Sequence, residues 1–498
     1  MRAFSTSPSA RSSALLLLAL IALAAASKAI LFDTLDPDLF WHLRVAEQLH
    51  TDGIGPLVDR ISFSSIRDPW TPYSWLAELF MHRVWTIGGF QLAVAMQALT
   101  IASLVGAIAW SARWACTSDA ASTEATCTGR LATALASAAG AFLALPYLSF
   151  RPVLFALLLI AIVNALCWRD RRMNGTSRAI WMTLPLIALT INLHLFGMLG
   201  TMLVVLHVLA RGQLDQRAIA LSAGAIVAAC CTPMLPGLLR TAWHYQQADP
   251  MVAGGKIAEM LPFWTGPLGM VSACVALLML AAVARSWRSM SRFDWIAITI
   301  ACLLLLRLGR FAPVFAIIVA PHVARSLASM LSDAVLARRP IQQTLAGIGA
   351  IGLVRVLVAF PWTTPLDHYL NRHAPPQDGY PTSAATFVEA NLTPSTGRLI
   401  NEFTWGGYLA WRLGDRFQVL LDGRTQLYTP QFWEAVYFDD TAARRATLDR
   451  ARADAAIVPA GRSAFRDDLL LAGWRVAHDD RIAQGLLPPP QHAHTPTD

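Results

Sequence analysis

The sequence predicts a mainly α-helical polytopic membrane protein, with about eleven transmembrane helices and a small C-terminal α/β domain. Three observations lead there. Of 498 residues, 55% are hydrophobic and only 14% charged, against roughly 25% charged in soluble proteins. Apolar runs approaching the ~20 residues needed to cross a bilayer recur from Ser13 to Pro361. Beyond Pro361 those runs stop, and short helix and strand patterns alternate.

The net charge of +8 is spread between apolar spans and forms no dense basic patch, which argues against nucleic-acid binding. The seven cysteines lie between Cys116 and Cys302, so the C-terminal part carries no disulfide framework, and no CxxC pair exists. The run Ser13 to Phe32 begins like a signal peptide but lacks a cleavage pattern, which predicts an uncleaved first helix. The predicted spans are 13–32, 89–111, 131–150, 152–168, 179–193, 195–210, 218–235, 266–284, 294–307, 311–327 and 341–361, with 179–210 readable as a broken pair around Asn192 and His194. With a cytoplasmic N-terminus, the arginines near 113–130, 169–178, 211–217, 285–292 and 338–339 all fall on the cytoplasmic side, as the positive-inside rule requires. This places a multi-pass protein in the cell inner membrane, with loops 33–88 and 236–265 and everything after 361 extracytoplasmic. One span more or fewer would move the C-terminal domain inward, and Arg307 and Arg310 make 294–327 the region where the count could change.

Loop 33–88 is patterned. Asp38 to Leu49 reads as an amphipathic helix lying at the interface, Gly53-Ile54-Gly55-Pro56 as a break, and Ser74 as the cap of a second surface helix that carries Glu78 and His82 four apart. Asp36 and Asp38 flank Pro37, which splays the segment so that both carboxylates can converge; either could act as a base, or the pair could hold Mg2+ or Mn2+ against a phosphate, or Asp38 could serve only as a helix cap. His42 follows Asp38 by one helical turn. Arg151 at an outer boundary could snorkel or hold a phosphate. Lys256 and Glu259 could pair or face a substrate, and Arg307 and Arg310 are paired or poised for an anion.

Residues 362–380 read as a linker, 381–487 as an α/β domain, and 488–498 as a disordered tail. In the domain, Trp405-Gly406-Gly407-Tyr408 and Asp422-Gly423-Arg424 stand out: the first permits close backbone approach, and the second ends a strand where ligand crevices form, or is an internal ion pair.

Asp36-Pro37-Asp38-Leu39-Phe40-Trp41-His42-Leu43-Arg44, Arg151-Pro152, Lys256-Ile257-Ala258-Glu259, Arg310-Phe311-Ala312-Pro313, Asn401 to Leu409 and Asp422-Gly423-Arg424 together resemble a bacterial family of polytopic proteins. That family is similar to the GT-C superfamily of membrane glycosyltransferases, and the resemblance covers nearly the whole chain. It implies a polyprenyl-phosphate-linked sugar donor, an extracytoplasmic acceptor and, by an inverting displacement, Asp36 or Asp38 as base or metal ligand. Arg151 or Arg310 would hold the lipid phosphate, with His42, Arg44, Lys256, Glu259 and Arg307 near the substrate. Where the superfamily often has a second acidic pair, this chain has only Asp249 and Glu259. A lipid or solute transporter and a non-catalytic membrane assembly protein are the alternatives.

Overall fold

A computed structural model describes residues 8–31, 36–66, 69–116, 127–212, 215–244, 250–331, 339–359, 379–393, 396–438 and 441–490. Tyr245, Asp249, Arg338, the predicted linker up to residue 378 and the tail from residue 491 lie outside the described residues. The chain forms two compact units: Met1–Phe32, Val94–Thr232 and Ile257–Leu370 make one, and Asp33–Ala93, Pro233–Lys256 and Asn371–Asp498 the other.

A helix meets each of the eleven predicted spans. Among the described residues, five helices are long and apolar enough to cross a membrane: Trp75–Cys116, Thr128–Tyr147, Pro152–Arg172, Gly266–Arg285 and Gly309–Met330, or six if Gln216–Cys230 and Leu235–Trp243 form one broken span. The remainder are shorter, such as Thr183–Leu193 at 11 residues and Gly197–Ala210 at 14, so length alone supports only part of the predicted count. Most of these helices make up the first unit, while residues 75–93 and Leu235–Trp243 belong to the second. At the centre of the first unit's bundle Cys127–Ala144 packs on Ala312–Met330, because small side chains let the backbones close: Gly140 faces Ala316 and Ala320.

The second unit is built on a five-stranded sheet of β1 (Gly397–Asn401), β2 (Phe417–Val419), β3 (Ala455–Pro459), β4 (Arg475–Asp479) and β5 (Ala483–Leu487), in the order β2-β1-β3-β5-β4. β2, β1 and β3 run parallel, whereas β5 is antiparallel to β3 and β4. Ala455 to Val458 is buried throughout, as a central strand covered on both faces must be. Residues from the first loop extend this sheet: Val419 N–H donates to Ile61 O at 3.0 Å and Phe63 N–H to Val419 O at 3.1 Å, a parallel bridge beside β2.

The helix expected to lie at the interface is instead a core element. Helix Asp38–Asp52 buries Leu39, Phe40, Trp41, His42, Leu43, Val45, Ala46, Gln48 and Leu49 and packs on helix Gly406–Leu413 of the C-terminal elements. Its polar residues misled the pattern because they find partners inside. Gln48, for example, donates to Val58 O at 2.7 Å.

Candidate functional site

The residues singled out by the sequence fall into two centres, one in each unit. In the second unit, Asp36 Oδ1 accepts the backbone N–H of Asp38 at 3.0 Å, and Asp38 stands in the first turn of helix Asp38–Asp52, which has Pro37 at its start and no side-chain cap. Two glycines explain where the segment rests. A methyl group at Gly407 would meet Pro37 O at 3.0 Å and Trp41 N at 3.1 Å; at Gly423 it would strike the Asp38 carboxylate and lie 2.9 Å from Trp41 Nε1. The two C-terminal motifs are therefore the seat of the Asp36–Trp41 segment. Phe40 inserts between Tyr380 and Tyr408, with ring centroids 5.3 and 5.2 Å away. Burial, together with the charges of Asp36 and Asp38, pushes the Tyr380 phenol's pKa up, which keeps a neutral wall beside the carboxylates.

Of the residues expected near the substrate, His42 has Nδ1 3.1 Å from Glu78 Oε1, both residues buried, and Arg44 pairs with Glu47 and, at 2.5 Å, with Asp415. Glu78 does not turn to His82; His82 Nε2 sits 4.0 Å from Glu47. Lys256 Nζ lies over the Phe438 ring at 5.5 Å.

Arg424 is fully buried. It donates to Asp422 from Nε at 2.9 Å and Nη2 at 2.6 Å, and to Asp59 from Nη1 at 2.8 Å. Burial works against its charge, but Asp422 and Asp59 outweigh it and hold its pKa well above the usual arginine value. Asp59 is correspondingly held low by Arg424 despite its burial. Of the two readings of Asp422-Gly423-Arg424, the geometry is that of the internal ion pair, with an aspartate from the first loop as its third member. Trp405 Nε1 donates to Gly379 O at 3.1 Å and Tyr408 OH to Thr382 Oγ1 at 3.2 Å, closing the same cradle.

The second centre lies in the bundle unit. Arg151, the residue before helix Pro152–Arg172, donates to Glu259 Oε2 at 2.7 Å, and Arg310 Nη1 lies 3.5 Å from Glu259 Oε1. Gly309 N–H donates to Leu261 O at 3.0 Å, which fixes Arg310 beside the 258–261 turn. Two guanidiniums and one carboxylate leave this cluster at +1, with side chains 16%, 17% and 25% exposed. Burial pushes the Glu259 carboxyl upward, but Arg151 and Arg310 prevail and bring it to about 2. Arg307 is exposed nearby in sequence. His194, buried and within electrostatic reach of Arg310, Arg151 and Glu259, was seen in the sequence only as a helix break. An ionisable residue between two apolar runs was the signal that could have found it.

No protein-family model matches the sequence, and no curated protein matches it by sequence. Solved structures do match. ArnT from Cupriavidus metallidurans bound to undecaprenyl phosphate aligns over 97% of this chain and 99% of its own, at 13% identity and TM-score 0.53. An Archaeoglobus fulgidus oligosaccharyltransferase tethered to an acceptor peptide aligns over 90% of this chain and 69% of its own, at 12% identity and TM-score 0.52. The AglB oligosaccharyltransferase of that archaeon, in complex with an inhibitory peptide and a dolichol-phosphate, gives 11% identity and TM-score 0.50 over the same shares. The chain shares its fold with these solved structures. In this chain it combines, among the described residues, helices long and apolar enough to cross a membrane with a small C-terminal mixed sheet.

A divalent cation at Asp36 and Asp38 would find two carboxylates among the described residues. Among the described residues no three His, Cys, Asp or Glu side chains converge. One Asp36 oxygen accepts a backbone N–H, and Glu259 is committed to two arginines. The chemistry below is derived from the side chains alone.

Proposed function

We propose that this protein is a membrane glycosyltransferase that moves a sugar from a polyprenyl-phosphate carrier to an extracytoplasmic acceptor. The N-terminus is cytoplasmic, the sheet-bearing unit faces outward, and the membrane is the inner one. The observation that carries this reading is the Arg151–Glu259–Arg310 cluster. A net +1 pair of guanidinium forks, partly open at the ends of apolar helices, suits a phosphate group anchored by a lipid tail.

In this reading Asp36 or Asp38 removes the proton from an acceptor hydroxyl. That oxygen attacks the anomeric carbon, and the bond from the sugar to the lipid phosphate breaks with inversion. The electron pair leaves on the phosphate oxygen, and the added negative charge is stabilised by Arg151 and Arg310. Glu259 holds the two guanidiniums in place between turnovers. His194 is a positioning residue beside them.

The test is incubation of purified protein with a panel of polyprenyl-phosphate sugars, following release of free polyprenyl phosphate in wild type, Asp36→Asn, Asp38→Asn and Arg310→Gln. Wild type should consume at least one donor, and at least one aspartate variant should lose at least 100-fold in rate, in the ~10²–10⁴ range of general-base removal. No donor consumed, or both aspartate variants at full turnover, sinks the proposal.

A further inference from the structure

The second unit holds an open pocket of about 610 Å³, within the ~300–1,000 Å³ of small-molecule sites. It lies between helix Thr382–Asn391 and the turn that joins β4 to β5. Resting on the functional reading above, we infer that this pocket is the acceptor subsite and that it takes a neutral saccharide.

Its position comes first. Tyr380 forms one wall of the pocket, and the same ring packs on Phe40, two residues after Asp38, in helix Asp38–Asp52. A molecule in the pocket is thus separated from the carboxylate segment by one aromatic side chain.

The chemistry of the lining identifies the ligand class. Ser383, Thr386, His478 and Asp480 offer donors and acceptors close together, and the Phe387 and His478 rings stack at 5.4 Å to give an apolar patch beside them. A sugar presents the same mixture, with hydroxyls around its edge and C–H groups on its faces. Charge narrows the choice, because the Asp480 carboxylate and the Arg481 guanidinium cancel, whereas a phosphorylated ligand would call for surplus positive charge. The polar groups are pre-set: Asp480 Oδ1 accepts the backbone N–H groups of Ile482 and Ala483 at 2.7 and 2.8 Å, and Ser383 Oγ lies 3.1 Å from His478 Nε2. Nothing in the transfer chemistry uses these residues.

Saturation-transfer NMR on the full-length protein in detergent, with maltose, cellobiose and chitobiose as probes and an acidic and a basic decapeptide as competitors, tests the inference. At least one disaccharide should receive saturation from wild type. Ser383→Trp, which fills the pocket from an exposed helix position, should abolish the signal, and Arg481→Gln should weaken affinity at least 5-fold. No transfer to any disaccharide, full transfer with Ser383→Trp, or displacement only by peptide overturns the inference. Binding without donor consumption would defeat the functional reading and leave the pocket standing. Donor consumption without saccharide binding would do the reverse.

Discussion

Two ion clusters invite comparison, because each joins arginine to carboxylate with opposite arithmetic. In the sheet-bearing unit one arginine serves two aspartates, and all three are closed from water; in the bundle unit two arginines serve one glutamate, and all three are partly open. The first cluster has spent its cation. Arg424 has nothing left to offer a ligand, and its removal would strand two buried carboxylates. The second keeps a surplus positive charge and a route to it. A saturated, enclosed cluster is a fastening, whereas an unbalanced and accessible one is equipped to bind.

The sharpest way to break the comparison is to empty the enclosed cluster. Arg424→Met should destabilise the sheet-bearing unit by about 3–5 kcal/mol, the range for breaking a buried pair, read as a large fall in Tm of the purified protein. A shift under about one kcal/mol would mean that the cluster fastens nothing. Next comes Gly423→Ala, whose added methyl collides with the Asp38 carboxylate. Turnover should fall at least 10-fold while Tm moves by only a few degrees; normal turnover would remove Asp38 from the reaction. Arg310→Gln should leave Tm nearly unchanged and raise the Kd for polyprenyl phosphate about 10-fold, on the order of the 1.5–3 kcal/mol of a charged hydrogen bond. The converse change, Glu259→Gln, should tighten that Kd, since it raises the cluster from +1 to +2; weaker binding would show the carboxylate to be a ligand partner itself.

The smallest expected effect is with pH. Glu259 is depressed from 4.5 to about 2. Its contribution is therefore fully present above pH 4.5 and is lost only as pH falls through about 2. Polyprenyl phosphate binding should carry no Glu259 titration between pH 7 and 5. A rise in affinity across that window that Glu259→Gln abolishes would contradict the assigned pairing.

The bundle was readable from sequence because its cause is local. Each apolar run is its own signal, and a helix stands at every place one was expected. Glu259 and Arg310 were visible as charges at a boundary, although the partner offered for Glu259 was Lys256, three residues away, and the structure supplies Arg151 and Arg310 from other helices. Helix Asp38–Asp52 was misjudged for the same reason. Its alternation of polar and apolar side chains fitted an exposed face, and nothing near it announced that Glu78 would meet His42 or that Asp415 would meet Arg44. Likewise the two glycine motifs stood out, but the body they admit, Pro37 to Trp41, lies far upstream in the chain.

The parallel bridge between residues 61–63 and β2 has a consequence for how the chain is made. Ser62 and the Leu420 carbonyl it bonds are 358 residues apart, so at ~5–20 residues per second the ribosome supplies the strand on the order of tens of seconds after the loop. Throughout that delay the loop has emerged, while its sheet, its arginine and its glycine seat have yet to be synthesised. Residues 61–63, among the first parts of the chain to be made, are among the last to acquire their native partners. Premature termination before β2 therefore leaves residues 61–63 without the strand they pair with.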